Sequence, residues 1–451
     1  MPLLFFVALA LAEPLGPLDG AAPVEDEPIE LGPPIASGAT SSTRPFARWS
    51  EHLVAPLHPT TSPWSVSSTL TLGLAWDREP DWSIAVEGRL RHRVAAALAS
   101  LDLPPGAADT IAGRFTPELR RAVIRWRPGP ELAVGLDRLR LGRSQLARPL
   151  DRLNPSDWRE GPLGPEGGER RPVPLVSVRN PLGRGELLLA WVPFFVPLRL
   201  PMSPAHRSSL ELAPISPLLD AVSGPGAPLA EVDDLGALGP SADLRDSELA
   251  LRWTQRLGDL DLALTWLYQR DRLPNLAAPT QRAHQHVLGL DLAVPIGPVR
   301  AVAEAAVILA QRNWLASPGL PTARHPMVHA TLEAAVSPAI FLDLTVGLEA
   351  LVTLDAPSST RFFFGGPRDL WLTARMNLLL AFDGILRLDA ETRLALTRDD
   401  HLTSLVFGAR LATDLELSLG LALFGGNPMD GGFGGLYESR DSLWLRAVFE
   451  L

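Results

Sequence analysis

Between residue 65 and the last residue the chain alternates apolar and polar side chains with a period of two, over segments longer than globular strands usually reach. From 341 to 354 one face carries Leu342, Leu344, Val346, Leu348, Ala350, Val352 and Leu354. The other carries Asp343, Thr345, Gly347, Glu349 and Thr353, with Leu351 the one apolar exception. Leu386, Leu388, Ala390, Leu394 and Leu396 oppose Arg387, Asp389, Glu391 and Arg393 in the same way. A helix would repeat its apolar residues at three and four positions, and these segments do not. Leu and Ala are weak strand formers, so the period and not the propensity identifies the strands.

About seventeen such segments follow one another, from 65–77, 83–97, 119–126 and 131–142 through 185–197 to 414–424 and 441–451. Most run to about 9–14 residues, against the 9–11 that a tilted strand needs to cross a bilayer. Short and long connections alternate between them, as in an up-and-down barrel with tight turns at one end and loops at the other. With the last strand descending to the periplasm, 65–77 also descends. Parity then requires one more strand upstream, within 47–57, for a total near 18.

Alternation alone does not say which face is inside. Three features favour a membrane barrel: many long strands, mid-strand charges of both signs on one face, and the need of any lipid-spanning sheet to close. Trp76, Trp126, Trp253 and Trp266 lie near strand ends, where an interfacial girdle or ordinary core packing would place them. The fold expected is therefore all-β, a single large antiparallel up-and-down transmembrane barrel of about 16–18 strands over 64–451.

Composition agrees. With 46% apolar and 20% charged residues the chain is not disordered. Its strongest charge-free apolar runs, 1–12 and 187–198, are too short for a membrane helix. A net charge of −10 argues against a nucleic-acid partner. No cysteine is present, which removes disulfides and thiolate chemistry. Residues 1–12 read as a signal peptide, with an apolar stretch running into Ala10-Leu11-Ala12 but no basic start; a buried strand or helix is the alternative. Residues 13–63 read as a Pro-rich acidic leader.

The apolar row Leu443, Leu445, Ala447, Phe449 and Leu451 resembles the terminal strand of Gram-negative outer-membrane barrels, which implies recognition by their assembly machinery. Those strands usually end in Phe; here Phe449 stands third from the end. Across about 65–200 run Asp81-Trp82, Arg121-Ala122-Val123, Leu139-Arg140-Leu141-Gly142-Arg143, Asn154-Pro155-Ser156-Asp157, Arg170-Arg171-Pro172-Val173-Pro174 and Trp191-Val192-Pro193-Phe194-Phe195. This order resembles a group of porin-like barrels that includes relatives of alginate-export channels. The resemblance implies an outer-membrane location and a channel, and attaches no substrate.

Charge points to the lumen. Residues 89–184 hold 18 Arg against 10 Asp or Glu, a local excess of +8 in an acidic chain. Arg89, Arg91 and Arg93 share one face of one strand; Arg121, Arg125 and Arg127 share one face of the next. Facing inward they form a basic ladder favouring anions, or else a solvated wall balanced by nearby acids. The 143–171 loop, with Asp151, Asn154, Asp157 and Glu160, is the candidate constriction; its acids equally suit pairing with Arg152, Arg159, Arg170 and Arg171, and Asn154-Pro155 an ordinary turn. His284 with His286, and His325 with His329, read as surface pairs and not metal ligands. No catalytic residue, metal site or cofactor is expected, since no nucleophile, zinc or phosphate-loop motif stands out. The reading is a passive outer-membrane channel for small solutes, anions among them, in contact with lipid. A barrel lipid hydrolase and a non-conducting structural barrel are its rivals, and the oligomeric state is open.

Overall fold

A computed structural model describes residues 42–56, 64–78, 81–96, 114–127, 129–157, 169–198, 243–272, 284–312, 324–339, 341–356, 367–381, 385–426 and 441–450. The signal-peptide segment and the leader up to residue 41 lie outside them. The first strands are β1 (Ser42–Pro56), β2 (Trp64–Arg78), β3 (Trp82–Ala96), β4 (Arg114–Trp126) and β5 (Glu131–Asp137). Two short segments, β6 (Ser156–Asp157) and β7 (Glu169–Arg170), pair with each other. The wall resumes with β8 (Val173–Leu182), β9 (Gly185–Val192), β10 (Glu248–Leu257), β11 (Leu260–Arg270), β12 (His284–Ile296) and β13 (Val299–Arg312). It ends with β14 (Arg324–Ala339), β15 (Leu342–Thr353), β16 (Arg368–Ala381), β17 (Leu386–Ala395), β18 (Asp400–Ala412), β19 (Leu415–Gly426) and β20 (Ser442–Glu450).

All but β6 and β7 form one 18-stranded antiparallel sheet. The sheet closes because β1 pairs with both β2 and β20, Trp49 lying between Leu70 and Phe449. The strand that parity required is thus β1, within the stretch read as leader. Closure leaves no edge, the condition for a sheet in lipid.

Burial resolves the direction of each face. Along β11, Ala263, Thr265 and Leu267 are buried while Leu264 between them is 47% exposed. Polar residues such as Thr345, Glu349 and Thr353 of β15 are buried in the interior, and Val346 and Leu348 are exposed. The apolar face is therefore outside and the ionic face inside. Trp82 and Trp126 stack at the short-turn end with centroids 5.7 Å apart. At the long-loop end Trp266 stacks on His286, and Tyr268 on His284. His284 and His286 therefore belong to an outward aromatic belt.

The largest departures from the alternation pattern are at β4, which begins earlier, at Arg114, and at β5 and β9, which stop at Asp137 and Val192. Leu139 and Leu141 keep the period beyond β5 because an extended segment buries both against other side chains. Periodicity reports burial and not sheet pairing.

The exposed mid-strand position Leu264 tests the orientation. Leu264→Arg is expected to cost about 2–4 kcal/mol of barrel stability, as a basic residue does at the bilayer midplane. Glu391→Gln on the inward face should stay within about 0.5 kcal/mol. Equilibrium unfolding in lipid vesicles measures both.

Candidate functional site

After β5 the chain turns into the barrel. Leu139, Leu141, Leu150 and Leu153 of this segment are buried against Val173 and Leu175 of β8, Leu188, Ala190 and Val192 of β9, Leu267 of β11, Val287 of β12, and Ala306 and Ile308 of β13. An apolar core thus lies inside the lumen, each fully buried Leu contributing about 1.5–3 kcal/mol. Leu351, the exception in the alternation of β15, packs on this core. The apolar run 187–198 has the same explanation, for β9 meets hydrocarbon on one face and the segment on the other.

Two wall carboxylates hold the segment. Glu304 of β13 accepts the Arg143 and Ser144 backbone N–H groups, both at 2.9 Å, and that of Leu150 at 2.7 Å. Glu333 of β14 accepts the N–H groups of Gln145 at 2.8 Å and Leu146 at 2.9 Å, and the Ser144 hydroxyl. Arg143 reaches Asp261 at 2.6 Å and Asp291 at 3.1 Å; Arg252 takes the second Asp291 oxygen at 2.6 Å. Buried charge is tolerated only with partners of this kind. Shape matches: Gly142, at φ +88°, passes so close to Glu304 that a Cβ would lie 2.4 Å from its carboxylate. A Cβ on Gly289 would lie 2.1 Å from Leu150, so the wall is hollowed where the leucine enters.

The far side of the segment is tied by Asn154, whose carboxamide exchanges two hydrogen bonds with the Leu139 backbone. Arg170 pairs with Asp151 at 3.5 Å and binds the Asn154 carbonyl. Arg272, just past β11, donates to the carbonyls of Arg152, Leu153 and Val196 and pairs with Glu248 at 2.5 Å. Burial pulls the Arg152 guanidinium down to about 10, still cationic at neutral pH, and lowers Arg170 for the same reason. Asp151 and Asn154 are themselves buried and hold the segment's shape through these bonds, and Asp157 is buried in β6. Glu160 lies outside the described residues.

The basic ladder lies on β3 and β4. Arg89, Arg91 and Arg121 are buried on the inward face, Arg89 pairing with Glu118 at 2.6 Å and Arg121 with Asp137 at 3.2 Å. Arg125 joins Asp137 at 2.6 Å. Arg127 stands beyond the end of β4, exposed at the short-turn mouth and paired with Glu131 at 2.7 Å. The backbone of Arg93 is in β3; its side chain lies outside the described residues. Sequence reasoning missed Arg120. A bulge sets Glu87 opposite Arg121 and Gly88 opposite Leu119, so Arg120 and Arg121 are both turned inward and buried. Arg120 there lies within electrostatic reach of Arg89 and Arg138 and of the carboxylates of Glu118 and Glu87.

On β14 to β17 a further network joins His329 to Glu349 at 2.7 Å, and Glu349 to Arg393. Arg393 and Arg398 lie over Trp371 at 4.7 and 4.9 Å. Among the described residues no group of three or more acidic or histidine side chains is placed to hold a metal.

A closed barrel with an apolar outer band, aromatic belts and a charged, partly filled lumen defines an outer-membrane β-barrel of the porin-like fold. No protein-family model and no curated protein sequence matches the chain. Among solved structures it is similar to Pseudomonas aeruginosa OccD3, at 9% identity and TM-score 0.52, over 93% of this chain and 95% of that one. Acinetobacter baumannii OccAB1 gives 10% identity and TM-score 0.51, over 91% and 96%.

Glu304→Ala leaves three backbone N–H groups without their acceptor, at about 1–3 kcal/mol each. Gly289→Leu closes the hollow for Leu150. Each should free the 143–150 amides, and hydrogen exchange of the folded barrel should show faster exchange there but not in β14 to β16.

Proposed function

We propose that the protein is a passive outer-membrane channel for small solutes, with a preference for anions. Solute moves down its own gradient, and the lumen sets size and charge. The observation that carries the charge preference is the burial of Arg89, Arg91, Arg120 and Arg121 together on the inward face of β3 and β4. Most of the opposite wall's carboxylates are turned to other work: Asp261, Asp291, Glu304 and Glu333 bind the inserted segment, and Glu349 binds Arg393. On β3 and β4 the inward Arg89, Arg91, Arg120, Arg121 and Arg125 outnumber the carboxylates beside them, Glu87, Glu118 and Asp137, so a passing ion meets a net basic wall there. The 138–157 segment narrows the passage between them. The chain is not read as an enzyme. From the Asn154-Pro155-Ser156-Asp157 and Trp191-Val192-Pro193-Phe194-Phe195 motifs we also infer kinship with barrels related to alginate-export channels.

Planar-bilayer recording tests this. Folded protein should give reproducible conductance, with a reversal potential in a salt gradient on the anion-selective side. Arg89→Ala combined with Arg120→Ala should move that potential toward cations, while Glu304→Ala should raise single-channel conductance. Absence of current from folded protein overturns the channel, and an unmoved potential overturns the filter.

A further inference from the structure

The two rims of the barrel's outer surface differ in chemistry. At the short-turn end the outward positions carry Trp82, Trp126, Leu257, Ile296, Leu411 and Phe449, and no charged side chain among the described residues. At the long-loop end of β12 to β18 they carry His286, Arg324, Arg368 and His401, all exposed, and no carboxylate among the described residues. The buried neighbours fix this facing. Gln285 and Val287 of β12, Met327 and His329 of β14, Asp369 and Trp371 of β16 and Leu402 of β18 are turned inward, so residues 286, 324, 368 and 401 face out.

Strand length places the arginines in height. Arg368 and the exposed Leu380 at the other end of β16 are about 40 Å apart along the strand and, at a tilt of about 40°, about 30 Å apart in height. The apolar band of such a barrel is about 25 Å tall, so Arg368 stands just past its edge, among lipid headgroups. Arg324 is as far from Val336 on β14. Neither guanidinium has an ion pair or a side-chain hydrogen bond among the described residues. The exposed Asp355 and Asp399 stand in the connections beyond the strands and pair with neither. The register also aligns Arg312 of β13 with Arg324, and like charges opposite each other across a strand pair repel. Ordinary anchoring at a water–hydrocarbon boundary would serve both rims alike. Charge at one rim alone answers a difference between the two leaflets.

We infer that the long-loop rim of β12 to β18 binds the phosphate groups of lipids in the surrounding leaflet, through Arg324 and Arg368. A guanidinium donates to two phosphate oxygens at once, which makes arginine the side chain suited to such a headgroup. Basic residues at headgroup level gain from anionic lipid over a short range, so only those at the rim take part. Two imidazoles stand at the same boundary. His286 lies against Trp266 and Tyr268, and the ring of His401 covers Gly425, where an added Cβ would lie 2.1 Å from it. Their ring N–H groups can donate to further headgroup oxygens. The contact lies outside the wall and is independent of conduction through the lumen.

Native mass spectrometry of the folded barrel tests this, after titration in micelles with lipid A carrying two phosphates or with a glycosyl diacylglycerol carrying none. The phosphorylated lipid should stay bound and the other should not. Arg324→Gln and Arg368→Gln should each weaken retention about fivefold, and together about 25-fold. Arg184→Gln removes the same charge from a turn at the other rim and should change nothing. All these variants should keep the unfolding transition of the parent barrel, since the side chains are exposed. Inorganic phosphate in excess should not displace the lipid, whose acyl chains lie in the apolar band. Equal retention of the two lipids, or a double variant that holds lipid A as the parent does, overturns the inference. Displacement by inorganic phosphate overturns it in favour of a site for free anions.

Discussion

Hydrocarbon offers no hydrogen-bond partner to a peptide group, and the architecture follows from that. Eighteen strands satisfy their backbones only because β1 bonds to β20 as well as to β2, so the ends of the chain close the wall. Once closed, the sheet divides every strand into a lipid side and a lumen side, and the period of two becomes a map of solvents. Leucine and alanine serve as strand residues here because the surface they must match is hydrocarbon.

Inside, the governing interaction is between carboxylate and backbone amide. A polypeptide segment placed in a lumen carries unpaired N–H groups, and a wall rich in acid carries unpaired charge. Glu304 and Glu333 settle both needs at once by accepting the amides of 143–150. The leucines of the same segment add an apolar seal against β8 to β13. On β3 and β4 the inward face carries the guanidinium groups of Arg89, Arg91, Arg120 and Arg121.

Much of this was legible in the chain. Alternation located the strands, and loop lengths gave their direction. Parity demanded a strand upstream of residue 64, which is β1. The charge excess in 89–184 marked the wall that carries Arg89, Arg91 and Arg121. Arg120 was not legible, because alternation assigns residues 120 and 121 to opposite faces and a bulge against β3 brings both inward. Glu304 and Glu333 looked like ordinary inward acids, and nothing local to Arg272 announced that it would staple residues 152, 153 and 196.

The sequence by itself determined that the chain is a run of long two-faced strands joined by alternating short and long connections, since the spacing of apolar residues is a local property written along each strand. Only the tertiary structure decided which face meets hydrocarbon, what fills the barrel and how its charges are paired. Those outcomes depend on contacts between residues more than a hundred positions apart, and on a single bulged residue that shifts the facing of its neighbours.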